Sequence, residues 1–255
     1  MKLKHFLYFL AIVATVGSLS SCSQKGGGAT EKDSIDKNKL IAHRGLWSQG
    51  YPQNSKEGIE AAVVTDLGGY ECDIRQTADG FIILNHDMEV GDKDIDKSSL
   101  EELRAEAPEI LPLLSDILEI QSRHPEKIMY AEIKSGNVED ILAVFKEKGI
   151  DKNVIFKSFD KEICLQLIGQ TAMPVYLLSG DNNLDFQELK KEGFSGVSLM
   201  FKEGETNKAL IDNIHSTGLN CAFWTVNDPD VAKQLDDWGA DHVVSDLTFL
   251  EVASD

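Results

Sequence analysis

Residues 69–73 have the sequence Gly-Tyr-Glu-Cys-Asp, and this stretch decides the fold prediction. Two other short apolar runs end in the same way, Lys-Leu-Ile-Ala-His at residues 39–43 and Lys-Ile-Met-Tyr-Ala-Glu at residues 127–132. Such runs are typical of buried strands in a parallel sheet. We therefore expect the ends of neighbouring strands to deliver carboxylates and imidazoles to one rim of the sheet.

Eight strand-like runs alternate with amphipathic, helix-like segments from residue 39 onward. The predicted strands are 39–43, 69–74, 127–133, 153–157, 174–178, 196–199, 219–224 and 241–244. The predicted helices are 55–66, 113–123, 137–148, 160–169, 185–192, 206–216, 228–238 and 246–252. Eight alternations favour an α/β fold of the closed (β/α)8 type, a TIM barrel, for which about 250 residues is a typical length. An open doubly wound sheet is the alternative, because the fifth and sixth units have the weakest patterns.

One insertion interrupts this alternation after the second strand. Residues 77–80, Thr-Ala-Asp-Gly, form a turn signal, and residues 81–84 are another strand-like run. This pattern predicts a hairpin that places His86 near the same rim. The polar segment 89–98 is predicted to be a short loop that contributes little buried surface.

The first 38 residues have the features of an export signal followed by a linker. A basic start precedes an apolar stretch that is too short to span a bilayer comfortably, and Leu-Ser-Ser-Cys at residues 19–22 resembles a bacterial lipobox. We predict a lipoprotein signal peptide at 1–21, lipidation of Cys22, a flexible tether at 22–38 and a barrel domain at 39–255. The mature protein would then be an exported, membrane-anchored bacterial lipoprotein in the periplasm or on the cell surface. An ordinary cleaved signal with a chance cysteine is the alternative.

Charge and cysteine content limit the possible partners and cross-links. The 255-residue chain has a formal net charge of −18, from 43 acidic and 25 basic residues. This balance argues against nonspecific binding to nucleic acid through a basic surface, so any phosphate must be bound by local cations. Lipidation of Cys22 would leave three cysteines, an odd number that predicts no complete disulfide framework. Cys72 should point to the opposite side of its strand from Glu71 and Asp73, which favours a core position.

Glu71 and Asp73 are two residues apart, so on a strand both side chains point to the same face. Two carboxylates directed at one point repel each other unless a positive charge lies between them. A hard divalent cation meets this need, and Glu132 on a following strand is a candidate third oxygen ligand. The alternative is that these acids are solvated charges at loop ends, but the flanking histidines favour a metal-assisted phosphoryl-transfer site.

His43 and His86 are the candidate general acid and general base, because imidazole titrates near neutral pH. Arg44 can make charge-assisted, bidentate contacts with a phosphate, and Lys134 can add a second cation. The alternatives are structural: a strand-end histidine at His43, and counter-ions to the carboxylates at Arg44 or Lys134.

Eight ordered motifs carry a resemblance to a known family. They are His43-Arg44-Gly45, Pro52-Gln53-Asn54-Ser55, Glu71-x-Asp73, Ala78-Asp79-Gly80, His86-Asp87, Glu132-Ile133-Lys134, Ser158-Phe159 and Trp224-Thr225-Val226-Asn227. From about residue 39 to its end, the chain is similar to the glycerophosphodiester phosphodiesterase family. The resemblance implies a TIM-barrel enzyme that cleaves glycerophosphodiesters to glycerol 3-phosphate and an alcohol.

The resemblance also implies roles for the candidate residues. Glu71, Asp73 and Glu132 would hold one Ca²⁺ or Mg²⁺ ion, His43 and His86 would form the acid/base pair, and Arg44 and Lys134 would hold the phosphate. The metal and the cations would offset charge on the phosphoryl oxygens, while one histidine activates a nucleophile and the other protonates the leaving alkoxide. The residues leave open whether the nucleophile is water or a substrate hydroxyl, and whether the metal is calcium or magnesium.

Two departures from the family pattern bear on the site. Gln53 stands where the family usually has Glu in Pro-Glu-Asn-Thr, which removes a negative charge near the site. The segment after His86-Asp87 lacks Arg-Thr-Thr and is shorter than the family's usual insertion, which helps to cover the substrate, so the alcohol specificity is left open. Phe159 and Trp224, at predicted strand ends, are candidates for an apolar wall at the barrel mouth or for packing residues.

Two other functions are compatible with the sequence. One is a phospholipase-like enzyme that attacks lipid head groups directly, since tethering keeps such a substrate nearby. The other is a non-catalytic binding lipoprotein on a degenerate barrel, prompted by Gln53 and opposed by the retained His43 and His86. The expected partners are a small phosphodiester and, through the anchor, a membrane. Nucleic acid is not expected, and the oligomeric state is left open.

Overall fold

Eight parallel strands close into a barrel in the structure, a computed structural model that describes residues 34–107 and 111–247. These strands are β1 (Leu40–Ala42), β2 (Gly69–Gln76), β6 (Ile128–Ile133), β7 (Val154–Ser158), β8 (Val175–Ser179), β9 (Gly196–Met200), β10 (Asn220–Trp224) and β11 (His242–Ser245). Strand β1 pairs with β2 on one side and with β11 on the other, so the sheet has no open end between them. The predicted TIM barrel is confirmed, and the open doubly wound alternative is wrong.

Helices follow the barrel strands as predicted. They are α1 (Lys56–Val63), α3 (Leu114–Arg123), α4 (Val138–Glu147), α5 (Lys161–Gln170), α6 (Phe186–Lys191), α7 (Lys208–Ser216) and α8 (Pro229–Trp238). The predicted helix at 246–252 lies outside the described residues except for Asp246 and Leu247, which are not helical.

Most of these helices begin at a side chain that caps the first turn. Ser55 accepts a hydrogen bond from the backbone N–H of Gly58, and Asp228 caps α8, which has Pro229 in its first turn. Such caps satisfy backbone donors that have no partner within the helix. They also fix where each strand-to-helix loop ends, and these loops form the rim that carries the candidate site residues.

The insertion after β2 differs in part from its prediction. The hairpin is confirmed, because β3 (Ile82–Leu84) pairs antiparallel with β2. The prediction that residues 89–98 form a loop with little buried surface is wrong. This segment contains a small hairpin, β4 (Glu89–Val90) with β5 (Lys93–Asp94), and its Val90 and Ile95 side chains are buried.

An additional helix, α2 (Leu100–Glu106), follows that hairpin and was not predicted. Its N-terminus is a capping box in which Ser99 and Glu102 each bond the other's backbone N–H. Helix α2 and the insertion pack their apolar side chains into one cluster, which contains the buried residues Ile83, Val90, Ile95, Leu100, Leu103 and Leu111. The insertion therefore has a small apolar core of its own, separate from the main layer between barrel and helices.

Within the described residues, Cys72, Cys164 and Cys221 are free and buried. Cys72 lies in the main apolar core, opposite its two acidic neighbours in the strand. Within the part of the chain that the structure describes, no helix is long and apolar enough to cross a membrane. The predicted lipidation site, Cys22, lies outside the described residues.

Candidate active site

Strand register brings three charged side chains to one level of the barrel. Asp73 of β2 is paired with Glu132 of β6, and Glu132 is paired with Lys157 of β7. Adjacent strands are about 4.8 Å apart, so these three residues are immediate neighbours. Glu71, two positions before Asp73, points to the same side of β2.

The three predicted carboxylate ligands converge as the sequence suggests. One oxygen of each of Glu71, Asp73 and Glu132 lies within 4.8 Å of the others, and all three side chains are buried. The Asn54 amide holds Asp73 from two directions, donating to Asp73 Oδ2 at 2.8 Å and accepting from the Asp73 backbone N–H at 2.9 Å. The backbone N–H of Arg44 donates to Glu71 Oε2 at 3.0 Å. The loop after β1 therefore holds Glu71 and Asp73 in place.

The loop after β1 adopts an unusual backbone to make these contacts. Arg44 and Asn54 have left-handed φ angles of 55° and 57°, and the Asn54 backbone N–H donates to the Arg44 carbonyl at 3.0 Å. Non-glycine residues rarely adopt this conformation, and such strain is concentrated at functional sites. Gly45, with φ of 77°, lies so close to α1 that a Cβ there would be 2.9 Å from the Gly58 carbonyl carbon.

Three cations surround the carboxylates. Arg44 Nε lies 3.4 Å from Asp73 Oδ2, and Lys134 Nζ lies 2.6 Å from Glu132 Oε1 and 3.3 Å from Asp73 Oδ1. Lys157 Nζ lies 3.1 Å from Glu71 Oε1 and 3.5 Å from Glu132 Oε2. The two cations predicted to bind phosphate are thus beside the acidic cluster.

Gln53 is linked to the acidic cluster through a hydrogen bond with Arg44. Arg44 Nη1 donates to Gln53 Oε1 at 2.6 Å. The acceptor of this hydrogen bond is a neutral amide oxygen rather than a carboxylate. A neutral acceptor leaves the positive charge of Arg44 less compensated, which favours binding of an anion.

His43 is oriented by a carboxylate that the sequence analysis did not single out. Its Nδ1 lies 2.7 Å from Asp246 Oδ1, which also accepts from Trp47 Nε1 at 3.0 Å. Asn227 donates to Asp246 Oδ2 at 2.7 Å. Burial alone would raise the pKa of Asp246, but the hydrogen bonds from His43, Asn227 and Trp47 outweigh it and lower this pKa. His43 Nε2 lies 3.9 Å from Glu71 Oε2 and is the ring nitrogen nearer the acidic cluster.

His86 follows β3 and has a similar partner. Its Nδ1 lies 2.7 Å from Asp87 Oδ1, and this hydrogen bond lowers the pKa of Asp87. Arg75 of β2 anchors the segment by donating to the His86 carbonyl, with Nη2 at 2.8 Å. The predicted hairpin therefore places His86 at the rim, and a buried guanidinium fixes its backbone.

A cavity of about 80 Å³ opens between the two histidines. It is lined by His43, Arg44, His86, Glu132, Lys134, Lys157, Phe159, Leu178, Trp224 and Thr225. This volume suits a small polar group, since drug-sized pockets measure about 300–1,000 Å³. The Phe159 and Trp224 rings meet edge to face with centroids 5.6 Å apart, and Phe159 is 54% exposed. Both predicted wall residues therefore lie at the mouth.

The fold and this site define a TIM-barrel protein whose rim combines three converging carboxylates, three cations beside them and two histidines. The chain belongs to the glycerophosphoryl diester phosphodiesterase family, whose model matches residues 43–248. Members of this family are phosphoric diester hydrolases, and this protein is an enzyme of that class.

Solved structures and a curated relative agree with this assignment. A glycerophosphodiester phosphodiesterase from Parabacteroides distasonis is 27% identical, covers 84% of this chain and 95% of its own, and superimposes with a TM-score of 0.77. An Oleispira antarctica phosphodiesterase, solved in complex with the product sn-glycerol-3-phosphate, has the same fold at 22% identity, a TM-score of 0.73 and coverage of 82% and 92%. The curated glycerophosphodiester phosphodiesterase of Caldanaerobacter subterraneus subsp. tengcongensis is 24% identical over 235 residues, which are 82% of this chain and 94% of the relative.

Proposed function

We propose that the protein is a divalent-metal-dependent glycerophosphodiester phosphodiesterase that releases glycerol 3-phosphate and an alcohol. The observation that carries this proposal is the convergence of three buried carboxylates beside a cavity lined by two histidines, each of which has a carboxylate at Nδ1. A barrel rim of this composition can hold a cation, bind a phosphodiester and transfer protons on both sides of its phosphorus.

The residues fit a hard divalent cation. Glu71 Oε1 and Glu132 Oε1 are buried and, among residues 34–107 and 111–247, accept no hydrogen bond of regular geometry, although lysine ammonium groups lie near both. Carboxylate oxygens are the ligands that Ca²⁺ and Mg²⁺ prefer, so Glu71, Asp73 and Glu132 would hold the ion. When bound, the ion supplies positive charge that offsets the charge developing on the phosphoryl oxygens.

Two side chains at the cavity are suited to holding the phosphate. Within the described residues, Arg44 Nε is buried and has no hydrogen-bond acceptor, so a phosphate oxygen would satisfy it. Lys134 lines the same cavity and adds a second positive charge. These contacts would fix the phosphorus between the two imidazoles, which lowers the entropy cost of reaching the transition state.

The histidines would move the protons. In each, the Nδ1 contact with a carboxylate favours a proton on that nitrogen and leaves Nε2 as the atom that exchanges a proton with substrate. One imidazole would accept the proton of the attacking oxygen, and the other would donate a proton to the departing alkoxide. The carboxylates would stabilise whichever imidazole becomes charged.

We also propose that the enzyme works outside the cytoplasm, held at a membrane by a lipid on Cys22. The support is the sequence alone: an apolar signal that ends in Leu-Ser-Ser-Cys, followed by a Gly-rich linker. A small phosphodiester would then meet the barrel mouth near the surface from which lipid degradation releases such compounds.

Product analysis tests the proposed reaction. The enzyme is incubated with a panel of glycerophosphodiesters and with intact phospholipids, with Mg²⁺ or Ca²⁺, and the products are identified by phosphorus NMR. We expect a glycerol 3-phosphate signal from at least one glycerophosphodiester. Turnover of intact phospholipid alone would support the phospholipase alternative, and no turnover of any diester with either metal would support a binding protein.

A further inference from the structure

Lys157 is a buried cation inside the acidic cluster. It is the fourth of the five residues of β7, between Phe156 and Ser158, and is only 2% exposed. Its ammonium contacts two of the three carboxylates, Glu71 and Glu132, at 3.1 and 3.5 Å. Buried lysines are rare and are tolerated when they are paired, so these two contacts account for its position.

The charges of the cluster balance without any metal. Among the described residues, three carboxylates are matched by three contacting cations, Arg44, Lys134 and Lys157. Lys157 is therefore paired on two sides, which is the condition under which a buried ammonium is tolerated.

Lys157 differs from the other two cations in its freedom to leave the carboxylates. The side chains of Arg44 and Lys134 are 17% and 15% exposed, so both can turn towards a bound phosphate. Lys157 has no comparable exposure and is held between its two acidic partners. Its charge therefore remains beside Glu71 and Glu132 whatever else occupies the site.

We propose that Lys157 is a built-in counter-ion that holds the carboxylate cluster together without metal and weakens its affinity for a divalent cation. This inference rests on the proposed function, because it concerns the same three ligands. A divalent ion entering the cluster must share Glu71 and Glu132 with a fixed positive charge and is repelled by it. Metal binding would leave two uncompensated positive charges, which an anionic phosphodiester reduces, so metal and substrate should bind cooperatively.

Calorimetric titration with Mg²⁺ and with Ca²⁺ tests the proposal on the full-length protein. Lys157→Gln removes the charge but keeps a hydrogen-bond donor, and Lys157→Arg keeps the charge. Lys152→Gln, at an exposed position before β7, is the control for the change in net charge. A unit charge at this range shifts an ionic equilibrium by about 10- to 1,000-fold, so Lys157→Gln should bind metal at least about 10-fold more tightly. The Lys157→Arg and Lys152→Gln variants should stay close to wild type.

Thermal unfolding provides a second readout. The metal-free Lys157→Gln protein should melt at a lower temperature than wild type, because three carboxylates then face two cations, and metal should raise its melting temperature more than that of wild type. If the variant folds only with metal, the dependence of its unfolding on metal concentration still gives the affinity.

Each result decides between specific statements. Equal or weaker metal binding by Lys157→Gln would overturn the counter-ion role and leave the proposed function standing. Tight binding by Lys157→Arg as well would show that charge is not the cause, and would also overturn it. No metal binding by any variant would overturn both this inference and the metal requirement of the proposed reaction.

Discussion

His43 and Asp246 show how single residues prepare this site. Asp246 receives three donors, His43, Trp47 and Asn227, and its two oxygens are both occupied. The imidazole is thereby fixed in orientation before substrate arrives. Preorganisation of this kind is what positions a proton-transfer group within reach of a reacting atom.

The two histidines should each be required for turnover. We expect His43→Ala and His86→Ala to lower kcat by on the order of 10²-fold or more, the usual contribution of a positioned acid or base. On a substrate with a p-nitrophenolate leaving group, which needs little protonation, only the variant that lacks the general acid should recover much of its rate. His124→Ala, at the end of α3, is the control and should keep the wild-type rate. Wild-type kcat in both site variants would leave these histidines a structural role.

Asp246 should act on the reaction through His43. An asparagine at 246 would present its NH2 group either to His43 and Trp47 or to Asn227, all of which donate to Asp246, so the network that orients His43 would lose its negative charge and at least one hydrogen bond. We expect Asp246→Asn to lower kcat by on the order of 10²-fold with little change in KM, as measured by steady-state kinetics. A large KM change with normal kcat would contradict a positioning role.

The lowered pKa of Asp246 also has a consequence for stability. Because the pKa of Asp246 is lower in the folded state, its ionised carboxylate stabilises the folded state, and this contribution is complete at pH values above the unfolded-state pKa of about 3.9. The contribution disappears as the pH falls through the lower folded-state pKa. Melting curves in acid should therefore show a wild-type loss of stability that Asp246→Asn lacks. The same dependence of melting temperature on pH in the two proteins would contradict this role of Asp246.

The insertion between β3 and α3 shows why one element was predicted incorrectly. Residues 89–98 are mostly polar, and only Val90 and Ile95 carry their buried surface. Two apolar residues in ten give no periodicity, so the small hairpin had no recognisable pattern. The capping box of Ser99 and Glu102 is a signal that would have located the start of α2.

The separate core of the insertion can be tested through α2. Leu103 is fully buried in that cluster, so Leu103→Ala should reduce the free energy of unfolding by about 2–5 kcal/mol, as measured by urea denaturation. Val64→Ala, at a side chain that is 73% exposed, is the control and should change it by less than about 0.5 kcal/mol. A change for Leu103→Ala as small as that of the control would mean that the cluster contributes nothing to stability.

At the scale of the whole molecule, the barrel was predictable because parallel strands buried on both faces are short apolar runs. The acidic ligands were predictable because two carboxylates at alternate positions of one strand share a face. The sequence analysis did not identify Lys157. The signal was a lysine within a short strand-like run, at a position that shares the inward face of β7 with Ile155. Asp246 was missed because it falls in a segment predicted to be helical. Contacts between distant parts of the chain, such as Asp246 with His43, have no local sequence signal.

The predicted anchor concerns the whole chain and its location. Cys22→Ala removes the sulfur that would carry the lipid, so the protein should leave the membrane fraction or accumulate as an uncleaved precursor. Metabolic lipid labelling and fractionation of cells provide the measurement. Labelling of the variant equal to that of wild type would show that the lipid is attached elsewhere or that the signal is of another type.

The central claim, that three carboxylates hold a cation required for phosphodiester hydrolysis, is tested most directly by removing that cation. The rate of glycerol 3-phosphate release is measured with Mg²⁺ or Ca²⁺, in excess chelator, and after metal is added back, with Glu71→Gln and Asp73→Asn as matched variants. We expect the chelator to abolish turnover, added metal to restore it, and both variants to bind metal more weakly while remaining folded. An undiminished rate in excess chelator, or wild-type metal affinity in both variants, would contradict the account.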